Sequence, residues 1–263
     1  MIRSALMNVM TAAALKAGRG LKRDFGEVEN LQVSVKGPGD FVSAADRKAE
    51  KILFEELSKA RPGYGFLMEE SGVVEGSDKS HIWYVDPLDG TANFLHGLPN
   101  FGISIGLARD EQIVAGLVYN PVIEALYVAE KGQGAYLNNR RLRVASRRDL
   151  GEALIGCAIP HLGKAGHARF KAELSAVMGR AANLRRLGAA ALDLCFVATG
   201  ACDGFWERGL KPWDLAAGIL IVKEAGGFVT DADGGSDIFA KGSVCAGNEI
   251  IHSQLLALIR SAG

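Results

Sequence analysis

Residues Ile82–Phe94 read IWYVDPLDGTANF. An apolar run that meets an acid, a proline, a second acid and then Gly-Thr describes a strand leaving its sheet and turning towards a loop or helix. Proline cannot extend the ladder as a donor and fixes the backbone as the chain turns out. Asp86 at the strand end and Asp89 at the turn can therefore face one cavity. A single aspartate could cap a helix and do nothing more. Two carboxylates held close repel unless a divalent cation or a shared proton joins them.

Outward from this stretch, the pattern is one of strands and helices in alternation. On the N-terminal side, Ile2, Leu6, Val9, Met10 and Ala13 follow helical spacing, so the first residues read as an amphipathic helix rather than a signal peptide. Val28–Val35 alternates as a strand, and Lys36-Gly-Pro-Gly-Asp40 is a turn. Ser43 then opens a helix as N-cap with Asp46 at N3, an apolar stripe of Ala45, Ala49, Ile52, Leu53 and Leu57, and a stop at Arg61-Pro-Gly63. Gly65–Met68 is a short strand that runs into Glu69-Glu70-Ser71.

On the C-terminal side, GISIGLA, IVAGLVY and ALYVAE are successive strands between Phe101 and Tyr136, which predicts a largely antiparallel meander. From about Leu150 the pattern changes. A strand at Ala153–Ala158, helices near Ala168–Met178 and Ala189–Thr199, and a strand at Asp203–Glu207 come first. A helix from Asp214 to Ala225 follows Pro212 and stops at Gly226-Gly227; a strand at Ser243–Ala246 precedes the terminal helix. The expectation is a layered α/β protein in two closely joined halves. Residues 1–147 form a metal-binding half with a mainly antiparallel sheet. Residues 148–263 form a half with a mixed sheet that completes the site.

The 263 residues are 48% hydrophobic and 23% charged, which supplies a sizeable core and excludes global disorder. Lys+Arg and Asp+Glu both total 30, a balance that argues against a dedicated nucleic-acid binder. Cys157, Cys195, Cys202 and Cys245 form no C-x-x-C pair, and Cys157, Cys195 and Cys245 sit in apolar sequence as buried free thiols do. No run approaches the roughly 18 apolar residues of a membrane span. A soluble, cytoplasmic protein is expected.

Four segments deliver an acid just before a helix or loop: Asp46, Glu69 with Glu70, Asp86 with Asp89, and Asp214. Singly, each has a plain explanation. Asp46 could complete a cap, Asp214 could be an N-cap, and Glu69-Glu70 could be an exposed acidic loop. The exception is the pair Asp86 and Asp89, whose oxygen-only ligands favour Mg²⁺, an ion that takes one or two carboxylates and keeps places for water and phosphate oxygens. If Asp89 starts a helix, the amides of Gly90 and Thr91 point at an anion. Leu88-Asp-Gly-Thr91 superficially matches the end of the D-x-D-G-T motif of dehalogenase-type phosphatases. Their nucleophilic aspartate would have to stand at position 87, which is proline.

Glu69-Glu-Ser71, Asp86-Pro-Leu-Asp-Gly-Thr-Ala-Asn-Phe94 and Trp213-Asp-Leu-Ala-Ala-Gly218 with Glu224-Ala-Gly-Gly227 resemble the ordered motifs of the inositol monophosphatase family. Asp40–Asp46 resembles the family's upstream acidic segment, and Leu184–Gly188 with Ala191–Leu194 resembles its bacterial branch. The resemblance covers nearly the whole chain. It implies an αβαβα sandwich, usually dimeric, that hydrolyses phosphate monoesters with two or three Mg²⁺ ions, with Mn²⁺ as a substitute and Li⁺ as an inhibitor. By this resemblance Glu69, Asp86 and the Leu88 carbonyl hold one metal, and Asp86, Asp89 and Asp214 a second. Thr91, oriented by Asp46, and Glu69 position and activate the attacking water. Gly90 and Thr91 meet the phosphate, while Asp89, Gly188, Ala190, Glu207 and Asp214 meet the substrate. Lys36 has at most a supporting place near the metals. Ala189 stands where a small hydroxyl residue is common and is expected to alter substrate contacts. Inositol monophosphate is the expected substrate; fructose 1,6-bisphosphate, 3′-phosphoadenosine 5′-phosphate and histidinol phosphate are the rivals.

Other features fit plainer roles. Asp231–Asp237 begins like a calcium loop but lacks glycine at its sixth place and glutamate at its twelfth, so it reads as a hairpin turn. His161 and His167 read as part of a loop that lines the site, and Trp83, Trp206 and Trp213 as core or site wall. Arg140, Arg141, Arg143, Arg147 and Arg148 read as a solvated strand edge where charge blocks pairing. The other reading of these arginines is an RNA or transcription-complex contact.

Overall fold

The computed structural model describes residues 4–25, 27, 33–37 and 40–262, with the backbone alone for 33–37 and 40–43. Helix α1 (Ala5–Phe25), a ribbon of β1 (Val33–Gly37) and β2 (Asp40–Ser43), and helix α2 (Ala44–Ala60) come first. Strands β3 (Tyr64–Met68), β4 (Gly72–Val74) and β5 (Asp78–Asp89) lead into the short helix α3 (Thr91–Leu95). The meander follows as β6 (Gly102–Arg109), β7 (Gln112–Asn120), β8 (Ala125–Glu130), β9 (Gly134–Leu137) and β10 (Arg140–Arg141). One sheet takes all eight strands from β3 to β10 in the order β10-β9-β8-β7-β6-β5-β3-β4. Its pairs are antiparallel except β3 with β5.

The second half runs β11 (Leu154–Cys157), α4 (His167–Met178), β12 (Asn183–Arg185), α5 (Ala190–Thr199), β13 (Gly204–Arg208) and α6 (Pro212–Glu224). It ends with β14 (Phe228–Thr230), α7 (Ile238–Lys241), β15 (Ser243–Gly247) and α8 (Glu249–Ser261). Its sheet has the order β12-β11-β13-β15-β14. The first three strands are parallel and β15 is antiparallel to both neighbours, so the sheet is mixed as expected.

Helices α1 and α2 cover one face of the first sheet, α5 and α6 fill the space between the sheets, and α4 and α8 cover the far face of the second. The result is the αβαβα sandwich. Three apolar cores fill the joints between the layers: one under α1 and α2, one around α5 and α6 that reaches both sheets, and one under α4 and α8. Covering a sheet on both faces makes its strands continuous apolar runs rather than alternating ones, which is why every residue of β6 from Gly102 to Ala108 is buried. Helix α6 lies close on this sheet. A Cβ at Gly106 would stand 2.6 Å from Ala216 Cβ, so only glycine admits the helix there. That approach brings Asp214, in the first turn of α6, to the end of β5.

The three-residue strands β4, β12 and β14 escaped the sequence reading because they are too short to display a period. The β9–β10 hairpin escaped it too, although Asn138 and Asn139, with φ of 46° and 70°, supply the two left-handed residues that a tight hairpin needs. The strand expected at Val28–Val35 lies partly outside the described residues, and β1 covers its end. In α1 the fully buried seam is Met7, Met10, Ala13, Ala14, Ala17 and Leu21, with Leu6 and Val9 beside it; Ile2 lies outside the described residues. Asp231–Asp237 connects the antiparallel β14 and β15, with α7 completing the connection. All four cysteines are buried and free. Among the described residues no helix is long and apolar enough to cross a membrane.

Candidate active site

Strand β5 continues through Pro87 by breaking register with β6 between Asp86 and Asp89. Proline is tolerated at such a bulge because no ladder bond is asked of it. The bulge turns Asp86, the Leu88 carbonyl and Asp89 towards a cavity of about 320 Å³. Glu69 reaches it from the β3–β4 turn, Gly188 and Ala190 from the start of α5, Glu207 from β13 and Asp214 from α6. With Gly90 and Thr91, every site residue that the sequence proposes lines this space except Asp46.

Asp46 stands behind the wall, fully buried on α2. The Thr91 hydroxyl is 3.1 Å from Asp46 Oδ1 and 3.0 Å from the Leu88 carbonyl. With its proton held by one of these acceptors, Thr91 keeps a lone pair for a water in the cavity. Asp86 Oδ1 accepts the Leu88 amide at 2.8 Å, which fixes the bulge. Asp214 is not the N-cap of α6. It is N3, and its Oδ2 accepts the Lys211 amide at 2.7 Å.

Asp89 also serves α5. Its Oδ1 accepts from Ala190 N at 3.1 Å and its Oδ2 from Ala191 N at 2.8 Å. The local N-cap position is Ala189, whose side chain can accept nothing, so a carboxylate from a hundred residues away takes over the first-turn amides. Ala189 itself is buried against Gly90 rather than lining the cavity. An effect of Ala189 on substrate contacts would run through this packing against Gly90.

The electrostatics are those of crowded acids. Burial first, then Glu69, Asp89 and Asp214, push Asp86 well above the usual carboxylate range, and Glu69 shares a hydrogen bond with it. Burial raises Asp89 to about 7, against the pull of the Ala191 and Ala190 amides. Burial also raises Asp214 to about 8, against the Lys211 amide. Glu207 is pushed well above its ordinary value by burial and by Asp193 and Asp214. Among the described residues, Glu207 Oε2 has no hydrogen-bond partner. A buried, unpaired acceptor at a cavity wall suits a ligand hydroxyl.

This donor set fits a hard divalent cation. It is built of carboxylate and carbonyl oxygens, without His or Cys, and its acids resist ionisation for want of positive charge. Among the described residues no group of three or more His, Cys, Asp or Glu is already gathered in a metal-holding arrangement.

Five contributors were given no role by the sequence reading. Asn93, buried in α3, donates through Nδ2 to Asn100 O and Leu187 O, each at 2.7 Å, and Asn100 Nδ2 reaches the same Leu187 carbonyl at 3.1 Å. The pair ties the β5 turn to the chain entering α5. Ser104 of β6 donates to Trp213 O at 3.1 Å, beside Asp214. Asp193, raised to about 7 mainly by burial, accepts the Ala189 and Gly188 amides under the cavity. Arg186 lines the cavity and draws the Asp193 and Glu207 carboxyls downwards. The signals in sequence were the Asn inside Gly-Thr-Ala-Asn-Phe and the stretches Leu184–Gly188 and Ala191–Leu194, which contain Arg186 and Asp193.

Other expectations divide. His161 lines the cavity, whereas His167 does not and holds Lys164 O at 2.9 Å at the start of α4. Trp213 is site wall, while Trp83 and Trp206 are core. Arg140 and Arg141 form an exposed strand at the sheet edge. Arg147 instead pairs with the buried Asp203 at 3.1 Å and belongs to the fold. The side chains of Lys36, Asp40 and Ser43 lie outside the described residues.

A model of the inositol monophosphatase family matches residues 3–263. An inositol-1-monophosphatase of Mesorhizobium japonicum is 63% identical over 260 residues, covering 99% of this chain and 98% of that protein. A Nus factor SuhB of Vibrio cholerae is 40% identical over 258 residues, covering 98% and 97%. The crystal structure of extragenic suppressor protein suhB from Bartonella henselae superposes with a TM-score of 0.96 at 57% identity, covering 99% of this chain and all of that one.

Proposed function

This chain belongs to the inositol monophosphatase family of phosphatases, and we propose that it is a Mg²⁺-dependent phosphomonoesterase that hydrolyses inositol monophosphate to inositol and phosphate. One observation carries the reading. Glu69, Asp86, Asp89 and Asp214, all oxygen donors, meet Thr91 on a single cavity that Glu207 enters from the other sheet. Residues 1–147 and 148–263 act as two halves of that one site.

Glu69, Asp86 and the Leu88 carbonyl would hold one Mg²⁺, and Asp86, Asp89 and Asp214 a second; a third ion is accommodated by water and phosphate oxygens. When bound, these ions neutralise the crowded acids, polarise the phosphoryl oxygens and lower the pKa of a water. Mn²⁺ is the expected substitute and Li⁺ an expected inhibitor. Thr91, its proton held by Asp46 or Leu88 O, accepts a hydrogen from the attacking water and aims its free pair at phosphorus. Glu69 takes the proton that this water loses. The amides of Gly90 and Thr91 receive phosphate oxygens. Glu207, with its unpaired oxygen, and the Gly188–Ala190 backbone bind the polyol. A carboxylate that accepts hydroxyl protons favours a ring polyol over a nucleotide. A cytoplasmic homodimer is part of this reading.

The test is phosphate release from inositol 1-phosphate, fructose 1,6-bisphosphate and 3′-phosphoadenosine 5′-phosphate, with Mg²⁺, with EDTA and with added Li⁺. Mg²⁺-dependent release led by inositol 1-phosphate is expected; release led by another ester would move the substrate and keep the mechanism. A second role has its own support in the relative named as a Nus factor and in the exposed Arg140–Arg141 edge. Salt-sensitive RNA binding that disappears in R140A/R141A would establish it, and unchanged binding would remove it.

A further inference from the structure

Glu50 is a buried acid that the reading above does not use. It lies on α2 one turn after Asp46, so both carboxylates leave the helix on the same face. Its side chain is on a residue only 2% exposed, and a carboxylate buried this far must be hydrogen-bonded. Glu50 Oε2 accepts the Glu70 amide at 2.8 Å and Oε1 accepts the Ser71 hydroxyl at 2.5 Å. These are the two residues that follow Glu69.

The turn lies at the margin of its sheet, closed by the pairing of Met68 with Gly72. It joins β3 to β4, and β4 is a three-residue strand at the edge of its sheet. The outer side of the turn opens on a groove of about 510 Å³ between Arg47, Lys51, Phe54, Met68 and Val74, so packing does not confine it from there. Inward, the Glu69 amide reaches Val85 O at 3.2 Å. That bond places the backbone of Glu69, the Glu69 side chain meets Asp86, and the two residues that follow are tied to α2 through Glu50.

We infer that Glu50 is a positioning residue for Glu69, and that α2 sets both catalytic turns from one rigid element: Asp46 sets Thr91, and Glu50 sets Glu69. A single helix turn thereby determines the spacing between the group that orients the water and the group that takes its proton. The inference rests on the proposed phosphatase reading for its kinetic consequence, and on geometry alone for the placement.

Glu50→Leu removes both bonds with little change of volume, whereas Glu50→Gln keeps an acceptor for the Glu70 amide and a donor that the Ser71 hydroxyl can accept. Partners of this kind typically control about 10- to 100-fold in metal affinity or activity. E50L is expected to lower kcat within that range, to leave KM within about threefold, and to weaken Mg²⁺ binding, read by calorimetry without substrate, by about tenfold. E50Q is expected to restore both to within about fivefold of the parent. Ser71→Ala removes one bond of the pair and provides a folded variant if E50L does not fold; weaker Mg²⁺ binding is expected there too. An E50L or S71A protein with parental Mg²⁺ affinity and kcat overturns the inference, whatever its melting temperature. E50Q as impaired as E50L overturns it as well, because charge rather than placement would then be at stake. If the parent releases no phosphate, the phosphatase reading falls while the Mg²⁺ titrations still decide the role of Glu50.

Discussion

Replacing Asp89 by asparagine separates the two tasks of this carboxylate, which caps α5 and presents charge to the cavity. Its carboxyl titrates at about 7 instead of 3.8 because burial opposes ionisation more than the Ala190 and Ala191 amides favour it. At about 1.4 kcal/mol per tenfold change in proton affinity, keeping it ionised in the fold costs roughly 4 kcal/mol relative to the unfolded chain. The folded pKa lies above the unfolded one, so the contribution is fully present below pH 3.8 and is lost as pH rises through 7. Asparagine offers its one carbonyl oxygen to one of the two helix amides and turns its amino group on the other, a loss of about 1 kcal/mol. In EDTA at pH 8.5, D89N is therefore expected to be more stable than the parent by roughly 3 kcal/mol, shrinking below about 1 kcal/mol at pH 5. Added Mg²⁺ should close most of that gap, because a cation at a hundred times its Kd would stabilise the parent by about 2.7 kcal/mol and would find one carboxylate fewer in the variant. Turnover should fall by on the order of 10³-fold or more. Urea unfolding at both pH values, followed through the buried Trp83 and Trp206, measures the first part and phosphate release the second. A variant less stable than the parent at pH 8.5 in EDTA would refute the reasoning, since the two amide bonds would then outweigh burial.

Thr91→Ala removes the hydroxyl between Asp46 and the cavity and should lower kcat by about 10²-fold or more with KM little changed. Thr91→Ser should recover most of it, and steady-state kinetics with parental kcat for T91A would remove Thr91 from the water site. Asn93→Ala leaves the Asn100 and Leu187 carbonyls without their 2.7 Å donor, a loss of about 1–3 kcal/mol. Because the segment tied by Asn93 carries Gly188 and Ala190, which line the cavity, KM is expected to rise by a larger factor than kcat falls, and the reverse split would count against the tie. Gly90→Ala must adopt φ near +91° with its Cβ 3.0 Å from Asn100 O and 3.1 Å from Ala189 Cβ. A loss of at least about 1–2 kcal/mol in denaturant unfolding is expected, and parental stability would show that the turn yields more easily than this packing implies.

What the sequence determined by itself was local. Strand periods, the helix stops at Gly226-Gly227, the break in the strand at Pro87 and the order of the acid motifs all depend on residues a few positions apart, which is the range over which propensity and patterning act; that the strand resumes as far as Asp89 across a bulge did not show. That order was enough to name Glu69, Asp86, Asp89 and Asp214 as members of one site, and the cavity contains all four. What the acids do besides was decided only by the tertiary structure. Asp89 caps a helix that begins a hundred residues later because Ala189 cannot, and Asn93 is a clamp only because the chain entering α5 brings Leu187 O within 2.7 Å. Glu50 carried no signal in the sequence, and its hold on the β3–β4 turn exists only because the turn packs on α2. Such pairings follow from how closely the layers approach, as where Gly106 admits α6. That closeness is a property of two packed surfaces together, and no stretch of one chain segment encodes it alone.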